Sequence, residues 1–123
     1  MKTIWKFPLK EVFKLVGEPV YIELPIGLNP LTVQLQDGEP VFWAMVDTPA
    51  KLTHMAVTVV FTGHPMPESD DQWTYIGTVQ LDGYVRHVFV AVLDEAFLAL
   101  EMRLNLRNVS EVPGQCIWRR IDG

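Results

Sequence analysis

Cysteine is nearly missing from this chain, which has one, Cys116, in 123 residues. No intramolecular disulfide can form, and a cysteine-rich zinc site cannot be built. Serine is almost as scarce: Ser69 and Ser110 are the two present, and neither lies in the glycine-flanked pattern of a nucleophile elbow. Positive charge is short as well, with 10 Lys and Arg against 15 Asp and Glu. That balance argues against a general nucleic-acid binder, because attraction to phosphates needs clustered basic residues. No apolar run approaches the roughly 20 residues that span a bilayer, so no membrane segment is expected. The charged start, Met1 to Pro8, lacks the apolar stretch and small-residue cleavage site of a secretion signal. A cytoplasmic setting follows as an expectation. Glycines are isolated, with no phosphate-cradling GxGxxG or GxxxxGK string, and no cofactor is expected.

What is present is apolar and alternating. Apolar types make up 49% of the residues and charged types 20%, enough to bury a core and to exclude intrinsic disorder. The length fits one domain over residues 1–123. Thr3, Trp5, Phe7 and Leu9 would share one face of a first strand, with Lys2, Lys6 and Pro8 on the other. Val20, Ile22 and Leu24 alternate with Tyr21 and Glu23, and Leu31, Val33 and Leu35 with Thr32, Gln34 and Gln36. Asp37-Gly38 then leads into Val41 to Val46, and Asp82-Gly83 joins Tyr75–Leu81 to Val85–Val90. Asp-Gly between two such runs is the strongest short-range hairpin signal, because a tight hairpin turn needs positive φ. Met55, Val57, Val59 and Phe61 make a further alternating run between the hairpins.

Helical signals are few. Leu9, Val12, Phe13 and Val16 fit a two-turn helix ending at Gly17, and Thr48-Pro49 could cap one turn. In 94–108, residue types favour helix, yet Leu98, Leu100, Met102, Leu104 and Leu106 alternate strictly, which favours a strand. Val112-Pro113-Gly114 would turn into a last strand, Gln115 to Ile121. The expected fold class is all-β, mainly antiparallel and hairpin-rich: a small sandwich or barrel with at most one or two short helices.

Candidate functional residues are sparse. His64 and His87 could meet across a sheet and, with Asp70 or Asp71, offer ligands to a divalent metal, but no histidine pair has a close metal-binding spacing. The simpler reading is a sheet histidine and a loop histidine, each satisfied by neighbours, and no metal or catalytic set is expected. Cys116 beside Ile117 and Trp118 reads as a buried, inert thiol. Arg103, Arg107, Arg119 and Arg120 could form a basic stripe near Trp118. Trp5, Phe7, Phe42, Phe61 and Phe89 read as core. Trp73 and Tyr75 follow the stiff acidic stretch Gly63–Gln72, and aromatics beside the carboxylates of Asp70 and Asp71 are typical of a protein-binding rim. A mean hydropathy of +0.15 points to surface covered by another subunit, hence a homo-oligomer.

Several strings resemble a known family. Ile4-Trp5-Lys6-Phe7-Pro8-Leu9, Phe42-Trp43-Ala44-Met45-Val46-Asp47, Thr62-Gly63-His64-Pro65-Met66, Tyr75-Ile76-Gly77-Thr78-Val79-Gln80-Leu81 and His87-Val88-Phe89 are similar, in order and spacing, to an uncharacterised domain of small tailed-phage and prophage proteins. The likeness runs over about residues 2–90. Members typically stop shortly after the last string, whereas this chain continues from Val90 to Gly123, so 91–123 is not accounted for by it. The resemblance implies a phage accessory protein in a bacterial host cell and carries no activity with it. His64 and His87 match its pattern. With the acidic, aromatic-rich composition, it leads to the expectation of a non-enzymatic binder that modulates a host protein, possible targets including defence systems. The alternatives are a virion or assembly component forming a symmetric oligomer, and a small-ligand binder or hydrolase using His64 and His87.

Overall fold

The computed structural model describes residues 1–68, 72–93, 106–110 and 117–120. Nine strands occur among them: β1 (Lys2–Pro8), β2 (Val20–Pro25), β3 (Asn29–Gln36), β4 (Glu39–Asp47), β5 (Leu52–Phe61), β6 (Thr74–Leu81), β7 (Tyr84–Val92), β8 (Leu106–Asn108) and β9 (Ile117–Arg120). They form two open antiparallel sheets, one in the order β1-β4-β3 and one in the order β6-β7-β5-β2-β9-β8. The fold is therefore all-β and a sandwich, not a closed barrel.

Both Asp-Gly turns do what their chemistry requires. Asp37 and Gly38 have φ of 53° and 80°, and Asp82 and Gly83 have 54° and 82°. Two residues at positive φ match the right-handed twist of the flanking strands, so Gln36 pairs with Glu39 and Leu81 with Tyr84. Each turn thereby fixes the register of its whole hairpin. The β6–β7 register shifts between Tyr75 and Gly77.

The core fills the space between the sheets. Val20, Ile22 and Leu24 of β2, Met55, Val57 and Val59 of β5, and Val88 and Val90 of β7 supply one wall. Val33, Phe42 and Ala44 supply the other. Along one side the sheets come very close: a Cβ on Gly77 would stand 2.8 Å from the Val33 nitrogen and 2.9 Å from its Cβ. Glycine is needed there because β3 occupies the space a side chain would fill, not because of its φ.

Three sequence expectations change. The two-turn helix over Leu9–Val16 is a single 3₁₀ turn, Val12–Lys14, with Leu9, Val12 and Phe13 buried under it. Gly17, at φ 87°, ends the segment, and so short an apolar stretch is held by packing on the sheet, not by helix propensity. Thr48-Pro49 is a cis peptide in a bend and caps no helix. Trp5 is 40% exposed, since β1 is an edge of the narrower sheet, and Phe61 and Phe89 are half-buried. Phe7 and Phe42 do pack together, ring centroids 5.7 Å apart. Of the 94–108 stretch, Leu106–Asn108 is strand; residues 94–105, the turn at 112–114 and Cys116 lie outside the described residues. Ile117–Arg120 is the described part of the expected last strand. No helix among the described residues is long and apolar enough to cross a membrane.

Candidate functional site

The open end of the sandwich beside the start of β6 carries an apolar groove of about 340 Å³. Leu28 and Pro30 line it from the β2–β3 connection, Met55 from β5, Val90 and Val92 from β7, and Gln72 and Thr74 from the start of β6. Alternation explains the lining. Met55 pairs with Val92, so the core-facing rows of β5 and β7 continue past the point where the opposite sheet covers them. Val92 is left 74% exposed. Exposed Ile26 and Leu31 flank Leu28 and Pro30 along the chain. Gln72 and Thr74 give the groove a polar rim, the usual arrangement around a binding surface.

The residue between them faces the other way. Trp73 packs on the outer face of the larger sheet against a cluster of Tyr21, Ala56, Ala91 and Leu93. Its indole nitrogen, like that of Trp118 on the same cluster, is buried with no hydrogen-bond partner among the described residues. Each such orphaned donor costs roughly 1–3 kcal/mol. Trp73 is thus half-buried, not perched on a rim. Tyr75, two residues on, is 56% exposed and meets Phe89 edge-on at 5.7 Å. Asp70 and Asp71 lie outside the described residues.

His64 and His87 do not come together. His87 pairs with Val60 of β5 and so faces outward. Its Nε2 is 2.7 Å from the Thr62 hydroxyl and its Nδ1 is 3.0 Å from the Thr78 hydroxyl. Thr78 in turn lies 2.6 Å from the Tyr75 hydroxyl. A hydroxyl can donate or accept, so this row satisfies either neutral tautomer of the imidazole and leaves neither nitrogen free. His64 sits edge-on to Phe61, ring centroids 5.4 Å apart, and Phe61 has the parity of the core-facing Val57 and Val59. The two histidines belong to opposite faces of the sheet. Among the described residues no group of three or more His, Cys, Asp and Glu side chains is placed to hold a metal ion. Of the expected basic stripe, Arg119 is taken up by an ion pair with Glu18 at 2.9 Å.

Sequence reasoning missed the groove lining and the threonine partners of His87. The second was within reach. Once Asp82-Gly83 is read as a two-residue turn, counting back from Leu81 and Tyr84 places Thr78 opposite His87.

The described residues form a β-sandwich with an apolar groove at one end and hold no recognisable catalytic grouping, an arrangement whose chemistry does not announce an activity. Residues 1–96 match the model of a family described as "Domain of unknown function (DUF7352)", and the chain belongs to that family. No curated protein and no solved structure matches it significantly.

Proposed function

We propose that this protein is a phage- or prophage-encoded accessory protein that works by binding a bacterial host protein in the cytoplasm, without catalysing a reaction. Support for the phage context is the likeness of residues 2–90 to small tailed-phage proteins. Support for binding is one observation, the groove lined by Leu28, Pro30, Met55, Val90 and Val92. Aliphatic side chains lining an open concavity lose apolar area to water only when something covers them, at roughly 25 cal/mol per Å². A groove of this size accepts one or two apolar side chains of a partner, and the rim of Gln72 and Thr74 can bond to its backbone. Which host protein is bound, a defence component among the candidates, is set by surfaces beyond this groove.

The test is a pull-down from host lysate with the tagged full chain and its Val92→Asp variant. Val92 is exposed, so the variant should fold, while a carboxylate in the groove should reject an apolar anchor. A stoichiometric host protein retained by the native chain and lost by the variant is the expected result. An eluate with no host protein, together with a closed oligomer that Val92→Asp dissociates, would make the groove a subunit contact and replace this reading with that of a virion or assembly component.

A further inference from the structure

Arg86 is the one Lys or Arg among the described residues whose exposure is known and that is not exposed. It stands on β7 opposite Phe61 of β5 and Val79 of β6. Three aromatic rings surround its guanidinium carbon: Phe61 at 5.3 Å, Tyr84 at 5.8 Å and Phe13 at 5.9 Å to the ring centroids. Nη1 donates to the carbonyl of Leu81, and Nε is buried with no acceptor among the described residues. Lys10, Lys14 and Arg119 each have a carboxylate partner, whereas no described carboxylate stands within 4.0 Å of Arg86.

This arrangement is unbalanced. Aromatic faces attract a cation, but they contribute little against the cost of withdrawing a charge from water. A guanidinium has five N–H donors in a planar fork, and among the described residues only the Leu81 bond uses any of them. The rings occupy its surroundings, and among the described residues Nε and Nη2 have no acceptor, donors whose geometry suits a planar, two-oxygen acceptor. Two further groups touch the same Phe61 ring: Tyr84, with centroids 5.1 Å apart, and the exposed His64. Neither the Tyr84 hydroxyl nor the His64 ring nitrogens form a hydrogen bond with a described residue, so both can donate to an incoming anion.

We propose that Arg86, with Tyr84 and His64 around the Phe61 ring, is a recognition site for a carboxylate. The site does not depend on the groove or on its occupant. The carboxylate can come from a free small acid or from an acidic side chain of a peptide, and the experiment separates the two sources.

The experiment follows the Arg86 Nε–Hε signal of the ¹⁵N-labelled full chain by NMR. A buried Nε–H exchanges slowly with water, which keeps the signal observable. The chain is titrated with succinate, with a blocked hexaglutamate peptide, and with sodium chloride at matched ionic strength. A saturable shift with succinate assigns the site to free carboxylates. Saturation with the peptide alone assigns it to an acidic partner segment. Arg86→Lys keeps the charge but removes the fork, and binding, followed then at the Tyr84 and His64 signals, should weaken by about tenfold. If Arg86→Lys fails to fold, His64→Ala, at an exposed position, should weaken binding by about threefold. Shifts that never saturate, that chloride reproduces, or that His64→Ala leaves unchanged would overturn the proposal.

Discussion

The two ends of β7 present opposite chemistry on the same face of one strand. Val92 and Val90 line an apolar groove, while Arg86, roughly 20 Å away along the strand, is a cation ringed by aromatics. Both belong to the core-facing row, between them lies Val88, fully buried, and the strand itself changes nothing along this length. The difference comes from what the rest of the fold supplies. At the Arg86 end the 3₁₀ turn brings Phe13 and the end of β5 brings Phe61, which together enclose a long polar side chain. At the Val92 end only the β2–β3 connection reaches across, through Leu28 and Pro30, and the aliphatic row is left open. One end has uncovered apolar surface and the other has a charge with no counter-charge among the described residues. Under the two proposals each departure from an ordinary core is met by a partner, and the partners are of different kinds.

That contrast can be broken or sharpened by substitution. The largest effect should follow from the core that both ends share. Phe42→Ala removes a ring with no exposed surface and should cost about 3–5 kcal/mol in chemical denaturation, loosening both ends together. A loss confined to the groove end would mean the ends are not supported by a common core. Gly77→Ala comes next. Its added methyl meets the Val33 backbone and should destabilise by about 1–3 kcal/mol, read from the denaturation midpoint. Arg86→Met should change stability by about 1 kcal/mol or less, or raise it, because a half-buried charge with no carboxylate partner among the described residues is traded for an apolar side chain. A loss well above that in thermal unfolding would show the guanidinium to be a structural keystone. The smallest effect on folding, within about 0.5 kcal/mol, is expected for Val92→Asp, which should instead act on partner capture.

Much of this architecture is legible in the sequence, for identifiable reasons. Asp37-Gly38 and Asp82-Gly83 name their turns because few other dipeptides tolerate two successive positive φ angles. The alternation of Val20, Ile22 and Leu24, or of Met55, Val57 and Val59, marks core faces because a strand has a period of two. Leu9, Val12 and Phe13 were legible as buried but not as a 3₁₀ turn, since burial and helical spacing coincide over so short a segment. Trp5 was placed on the correct face, yet its exposure depends on the three-stranded sheet being narrower than the six-stranded one, a property of the whole assembly. The groove was illegible for the same reason. Nothing local to Val90 or Val92 says where the opposite sheet stops. His64 and His87 looked like a pair because one lies within a strand and the other just past the end of another, but they belong to opposite faces of the sheet.

The most direct test of the binding account is hydrogen–deuterium exchange of the full chain, free and bound to the host protein captured with it. Amides of Leu28 and Asn29 and of residues 72–74 and 90–92 should gain protection in the complex, because they border the groove. Those of 84–86, at the other end of β7, should be unchanged. Protection at 84–86 with none at 90–92 would contradict the account and move the partner-binding surface to the arginine end.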